Sequence, residues 1–270
     1  MNKKQLISHE IPKQLFPIHD FINDYEYVLA HLLLKETHHY DELYADYYKN
    51  KLANSSYNIL DNSLYELGDS IDYKCLYELG EEYKPTHIIL PDCLNNTITT
   101  KNRAVQYIKE FGSKSTPKFI GVVHGNTYDE IRDILYFYET NPLIDIIAIP
   151  FDIMSNTIPY GANKKLWRVN VFRELIYPTL KGLKSTKKIH LLGCHTPLEF
   201  KYYTPNEKEY IYSIDTSAPI IYGWNNISFD DITLDTPKPK DKLAENLDIV
   251  LEQDNLNCIA KNVKIFKIFL

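Results

Sequence analysis

The sequence predicts an α/β protein of the (β/α)8 TIM-barrel type. Three observations predict it. Short runs rich in Ile and Val recur along the 270 residues, and each is followed by a polar turn and a helix-spaced apolar pattern. The runs are continuously apolar rather than alternating, as in strands of a parallel sheet buried on both faces. Strand and helix in alternation imply parallel strands joined by crossovers, and the length suits one barrel of about 250 residues.

The strand runs are EYVLAHLLL (26–34), YNILD (57–61), THIILPD (86–92), KFIGVVHG (118–125), DIIAIP (145–150), KIHLLGC (188–194) and YIYSID (210–215). QLISHEIP (5–12) supplies an eighth. TTKNRAVQYIKEFG (99–112) is helix-spaced through Ala104, Val105, Ile108 and Phe111, and Gly112 is its stop. NTYDEIRDILYFYET (126–140) begins with cap-type Asn126 and Thr127 and lines up Ile131, Ile134, Leu135 and Tyr138. KKLWRVNVFRELIYPTL (164–180) is expected to break before Pro178, and TPLEFKYY (196–203) opens with a cap and first-turn pair. A doubly wound sheet is the competing arrangement, weakened because no GxGxxG or GxxxxGK[ST] follows any strand. The barrel is expected over residues 1–224. Residues 225–270 should form a C-terminal loop and a helix or strand completing or capping it; KNVKIFKIFL (261–270) alternates loosely, like a terminal strand.

Composition narrows the function classes. With 44% hydrophobic and 24% charged residues the chain is of globular type, and no apolar stretch is long enough to span a membrane. The N-terminus lacks an apolar signal region, so a cytoplasmic location is expected (the host cytoplasm, if phage-encoded). Four cysteines, Cys75, Cys93, Cys194 and Cys258, form no CxxC pair, which argues against a disulfide framework and a cysteine zinc site. No cofactor motif is present. The net charge of −6 leaves any nucleic-acid contact to a local basic strip. The densest basic helix carries Lys164, Lys165, Arg168 and Arg173, a phosphate-contact candidate or an ordinary solvated face. YDELYADYYKN (40–50) offers a stacking platform for unpaired bases or ordinary packing. His38 and His39, with His31 or His9, lack the carboxylate or cysteine that would complete a metal spacing.

What ends each strand is the informative feature. YNILD stops at Asp61, THIILPD at Asp92, KFIGVVHG at His124 and YIYSID at Asp215. In a barrel these ends meet at one mouth, where catalytic groups collect. Singly, an Asp there also serves as the cap of the next helix and a His as a satisfied structural residue. Jointly they point to a site, because such groups are expensive together unless hydrogen-bonded or used.

The collinear set YNILDNSLYELG, THIILPDCLNNTITTKNRAVQYI, KFIGVVHGNTYDEIRDIL, KKIHLLGCHTPLEF and YIYSIDTSAPIIYG, over residues 57–223, resembles the tRNA-guanine transglycosylase superfamily. The LDN-x-x-[FY]-E and LPD forms look most like the phage 7-deazaguanine DNA transglycosylases, the DpdA group. The resemblance implies base exchange: guanine in DNA replaced by a free 7-deazaguanine base of the preQ0 or preQ1 type. It implies Asp215 as the nucleophile forming a glycosyl-enzyme intermediate, and Asp61 as general acid/base. It implies Asp92 as the acceptor for guanine's donor edge, Tyr65 as an aromatic stacked on the base and His124, in place of the family's Gln, as donor to the base carbonyl. Gly125 would permit close backbone approach, and Leu192 would cover the base. The family's zinc cluster of three cysteines and a histidine is missing, which lowers the tRNA reading. Its Gly-Gly turn becomes Pro150-Phe151, with Phe151 as a pocket wall, and its Pro-Thr-Arg stretch becomes Thr216, Ser217, Ala218 and Pro219. A catalytically silent base-binding partner subunit is the alternative of a different class.

Overall fold

In the computed structural model, which describes residues 4–35, 37–160 and 162–270, eight strands form one parallel sheet. They are β1 (Leu6–His9), β2 (Glu26–Leu29), β3 (Asn58–Asp61), β4 (His87–Ile89), β5 (Lys118–Val122), β6 (Ile144–Pro150), β7 (Lys188–Leu192) and β8 (Ile211–Thr216). The order β1-β8-β7-β6-β5-β4-β3-β2 leaves β1 and β2 at the two ends. The seam between them is bridged where the Asp24 N–H donates to the Ile7 carbonyl at 2.8 Å and the Ile7 N–H to Asp24 Oδ2 at 3.2 Å. The result is a nearly closed (β/α)8 barrel.

Every expected strand forms, though most are shorter than their apolar runs. The surplus apolar residues continue past the strand into the wall of the mouth: Leu90 and Val123 are buried beyond the ends of β4 and β5. Ile59, Ile88, Ile120, Ile147 and Ile189 are fully buried in successive strands, the both-sides burial that the apolar runs imply.

The helices follow their sequence signals with instructive exceptions. The helix Tyr128–Thr140 starts at a capping box: the Glu130 N–H donates to Thr127 Oγ1, and the Thr127 N–H to the Glu130 carboxylate. One residue before the cap, the Asn126 N–H donates to the same Glu130 oxygen at 2.7 Å. The helix Thr97–Phe111 buries Thr97, Thr100, Ala104, Tyr107 and Phe111, while Val105 is left exposed. The inward stripe thus includes a tyrosine that simple apolar counting passes over.

Two expectations are corrected. The 164–180 helix does not break before Pro178. It runs through a 3-10 turn, an α-helical turn, a π-helical turn at Phe172–Ile176 and a last α-helical segment, Tyr177–Gly182. The wide π turn absorbs a proline that has no N–H to give and whose ring would strike an α-helical carbonyl. The terminal strand expected at 261–270 is instead part of a helix, Gln253–Phe269. Its buried Asn255, Ile259, Asn262, Val263 and Phe266 keep helical spacing against the helix Ala218–Trp224. The two helices pack so closely that a Cβ on Gly223 would lie 2.4 Å from Ile259 Cγ1.

The stretch between these helices returns to the C-terminal face of the barrel. Asn262 holds it by accepting from the Phe229 N–H and donating to the Ile227 carbonyl. Lys165 Nζ donates to its Thr236 carbonyl. The Tyr-rich helix Glu42–Asn54 buries Tyr44 and Tyr48 and stacks Tyr47 on Phe16, so it is packing rather than a platform for bases. Among the described residues no helix is long and apolar enough to cross a membrane.

Candidate active site

A cavity of about 120 Å³ opens among the C-terminal strand ends. One water needs on the order of 10–15 Å³ by this measure, so the space suits a molecule of about ten non-hydrogen atoms. Asp61 ends β3, Asp215 lies near the end of β8, and Asp92 follows β4; all three line the cavity and are buried. The barrel therefore brings together acids 31 and 123 residues apart in consecutive steps along the chain, as the strand-end pattern predicts. His124, Tyr65, Phe151 and Leu192 line the same space.

Each carboxylate is held differently. Asp215 Oδ1 accepts the Gly193 N–H at 2.9 Å and faces His190 Nε2 at 3.0 Å. Gly193 has φ +64°, and a Cβ there would strike the Phe151 ring at 2.9 Å, so the donor turn depends on glycine. Asp215 Oδ2 carries no hydrogen bond among the described residues. Asp61 accepts the Tyr27 hydroxyl at 2.9 Å on Oδ1 and the Ser63 N–H at 2.8 Å on Oδ2. Burial pushes its carboxyl up to about 7; those two hydrogen bonds oppose the rise, and the charges of Asp92 and Asp215 add to it. Asp92 accepts Asn62 Nδ2 at 2.8 Å on Oδ1 and meets His124 Nε2 at 2.8 Å on Oδ2.

The wall is more acidic than the sequence reading anticipates. Glu10, Glu66 and Asp152 join the three aspartates, and Lys238 is the lysine among them. Glu10 is pushed up to about 7, first by burial and then by Asp215. Glu66 is raised well above its ordinary range by burial, then by Asp61 and Glu10; its Oε2 is enclosed without a hydrogen-bond partner. Lys238 comes from the 225–252 return segment, and burial lowers it. Glu10 follows β1 as Asp61 ends β3, so the strand-end rule finds it. Glu66 is the last letter of the quoted LDN-x-x-[FY]-E pattern. Lys238 gives no such signal, because it lies in a stretch of chain outside any strand or helix.

Several assigned roles change. His124 spends Nε2 on Asp92, so it braces that carboxylate instead of offering that nitrogen to a base carbonyl. Gly125 does not line the cavity; a Cβ there would meet Thr97 Oγ1 at 2.8 Å, so its smallness serves helix–strand packing. Arg168 is buried and cannot reach a phosphate. Its Nε and Nη2 grip the Glu199 carboxylate at 2.8 and 2.9 Å, and Nη1 donates to the Ile149 and Leu192 carbonyls. Arg173 forms a bidentate pair with Glu207. Of the proposed basic strip Lys164 remains, with Lys165 next to it but engaged by the Thr236 carbonyl, beside a groove that shares Phe151, Asp152 and His195 with the main cavity.

Phe151 packs edge-on to Tyr65, with ring centroids 5.6 Å apart, and Tyr65 is 60% exposed. The two rings form an aromatic rim that a flat ligand would pass. The paired histidines lie elsewhere: His39 packs between His38 and His31, His31 Nδ1 meets Ser63 Oγ, and His9 meets Asn23. His19, Asp20 and Glu26 lie close enough to share an ion, at the opposite end of the barrel from the cavity. The two ring nitrogens of His19 face different carboxylates, and Asp20 is paired with Lys51, so the set is already internally matched.

No protein-family model and no curated protein matches this chain.

Proposed function

We propose that the chain is a base-exchanging glycosyltransferase that replaces guanine in DNA with a 7-deazaguanine. The observation that carries this reading is the convergence of Asp61, Asp92 and Asp215 on one cavity of base size. The collinear resemblance to guanine transglycosylases supports it independently of the geometry.

In this reading Asp215 Oδ2, free of hydrogen bonds among the described residues, attacks C1′ of the target nucleotide. The C1′–N9 bond breaks, and its electron pair leaves with guanine. An ester joins C1′ to Asp215, and guanine takes a proton from Asp61. The free 7-deazaguanine then enters the vacated space. Its N9 attacks C1′, its N9 proton passes to the Asp61 carboxylate, and Asp215 leaves as a carboxylate. Two displacements retain configuration, as in retaining glycosidases. A carboxyl near 7 can lend and recover a proton at neutral pH, which suits Asp61 to this exchange. Asp92, steadied by Asn62 and His124, keeps a second lone pair on each oxygen for the N1–H and 2-amino donors of the base. Adenine, which presents an acceptor at N1, would face this carboxylate lone pair to lone pair.

The test is incubation with guanine-containing DNA, a labelled 7-deazaguanine base and, in parallel, tRNA. Label entering DNA, and lost in Asp215→Ala, is the expected result. Label entering tRNA alone would move the substrate to RNA. Base binding without label transfer or a covalent adduct would identify a silent base-binding subunit.

A further inference from the structure

His190 is fully buried inside the barrel on β7, a position from which sequence reasoning drew nothing. It meets Asp215 Oδ1 through Nε2 at 3.0 Å and Ser213 Oγ through Nδ1 at 2.9 Å. Ser213 lies opposite it on β8, two residues before Asp215, and its Oγ is 2.7 Å from the Tyr57 hydroxyl. The Tyr27 ring stacks on the imidazole, with centroids 5.9 Å apart and planes 16° from parallel, and the Tyr27 hydroxyl donates to Asp61. One buried chain of groups thus begins at Asp215, and its imidazole lies against the residue that holds Asp61.

The donors along this chain can be assigned. A carboxylate only accepts, so Nε2 carries the proton and donates to Oδ1. A neutral imidazole then accepts at Nδ1, so the Ser213 hydroxyl donates there. Ser213's remaining capacity is as acceptor, and the Tyr57 hydroxyl fills it. Every member is satisfied, and the tautomer is fixed from the far end by a serine and a tyrosine.

We propose that His190 is a positioning residue for the reaction: an Nε2–H donor that, with the Gly193 N–H, holds Asp215 Oδ1 through both displacements. In the first displacement the two donors occupy Oδ1 and leave Oδ2 to attack C1′. In the ester, Oδ1 is the carbonyl oxygen and still accepts both bonds. In the second, the C1′–Oδ2 bond breaks and its electron pair returns to the carboxylate. Charge then grows on Oδ1 between two preset donors, the arrangement by which fixed N–H groups stabilise a developing oxyanion. This rests on Asp215 being the nucleophile of the exchange proposed above.

The test has two arms. In the unliganded protein labelled with ¹⁵N-histidine, NMR should show His190 protonated on Nε2 and bare on Nδ1. The Ser213→Ala variant should weaken that tautomer preference. A protonated Nδ1, or a preference unchanged in Ser213→Ala, overturns the assignment whether or not the protein turns over. In the exchange assay His190→Ala should lower kcat on the order of 100-fold, the cost typical of one lost oxyanion donor, with KM for the free base nearly unchanged. His190→Gln, which keeps an N–H of similar reach, should recover much of that loss. Unaltered kcat in His190→Ala, or a loss falling mainly on KM, refutes the role. If the wild-type protein exchanges no base at all, the proposed function fails, while the tautomer arm still reads out. If His190→Ala fails to fold, the comparison of Gln with wild type decides: a Gln variant no better than a folded Asp215→Ala control refutes the proposal.

Discussion

Asp61→Asn should make this protein more stable and inactive at the same time, and the stability gain should depend on pH in a defined direction. The Asp61 carboxyl moves from 3.8 to about 7 on folding. At about 1.4 kcal/mol per pH unit, its ionisation inside the barrel costs roughly 4 kcal/mol. Between about pH 4 and 7 the folded protein keeps a proton that the unfolded chain has already released. Stability therefore falls as pH climbs through that window, and the full penalty is present above 7. Asparagine has the same shape and never ionises. Its oxygen can accept the Ser63 N–H, and its amide can donate to the Tyr27 oxygen once that hydroxyl turns away. Allowing about half the penalty for imperfect replacement leaves a gain of about 2 kcal/mol at pH 8, or roughly 4–8 °C in a chain of this size.

The assay is thermal unfolding of wild type and variant at pH 8 and again near pH 4. Glu10 and Glu66 are raised by burial as well, and the Asp61 charge adds to both, so the difference between the two proteins reads Asp61 together with its repulsion of these two carboxyls, which points the same way. The gain should shrink as the pH falls and give way to a loss of up to about 2 kcal/mol at the acidic end, where the cost of imperfect replacement remains and the ionisation penalty does not. A variant less stable than wild type at pH 8, or equally improved at both pH values, would refute the argument that burial of this charge is what the fold carries at a loss.

Other expectations follow from the same contacts. Asp92→Ala should raise KM for the free base by more than tenfold while leaving the fold intact, since one buried charge disappears with its hydrogen bonds; base titration by calorimetry checks it. Arg168→Leu should cost about 3–5 kcal/mol in chemical denaturation because it strands Glu199 as an unpaired buried charge; a loss under 1 kcal/mol would contradict the bidentate grip. Gly193→Ala should lower kcat in the exchange assay with a smaller change in melting temperature, because the left-handed turn and the Phe151 contact both resist a Cβ. Lys164→Ala should reduce the salt dependence of DNA binding by about one counterion; an unchanged slope would remove it from the phosphate path.

The fold was legible because its signal is written many times over. Eight apolar runs with helical segments between them leave few arrangements, and each run alone need only be roughly right. The three aspartates were legible for a related reason: strand C-termini of a barrel face one mouth, so position along the chain converts directly into position in space. The role of His124 was not. From sequence it stands at a strand end like the aspartates, and only the side-chain geometry shows its Nε2 turned to Asp92. The burial of Arg168 escaped for a physical reason as well. A basic residue on a helix is ordinarily solvated, and what draws this one inward is Glu199, 31 residues away and beyond a strand. His190 and Ser213 were hidden inside apolar runs that otherwise read as core. The terminal helix was misjudged because KNVKIFKIFL fits periods of both 2 and 3.6, and the partner that decides between them, Gly223, lies in another segment.

Arg168 also explains how so acidic a mouth keeps its shape. Its Nη1 satisfies the carbonyls of Ile149 and Leu192, at the ends of neighbouring strands, and the Leu192 carbonyl also accepts the Phe151 N–H. Glu199 balances its charge and is itself bonded by the Tyr203 hydroxyl and the Cys194 thiol. The guanidinium thus fixes the turn that carries Gly193 without reaching Asp215. That separation has a chemical consequence. A cation bonded directly to Asp215 would bind the free carboxylate more tightly than the ester, and would slow the attack that makes the ester. The N–H donors on Oδ1 can stay bonded in both forms, and the permanent charge of the guanidinium is kept one residue removed, where it orders the backbone. The nucleophile's setting and the buried ion pair are therefore two parts of one device, which is why the loss of Arg168 should reach turnover even in variants that remain folded.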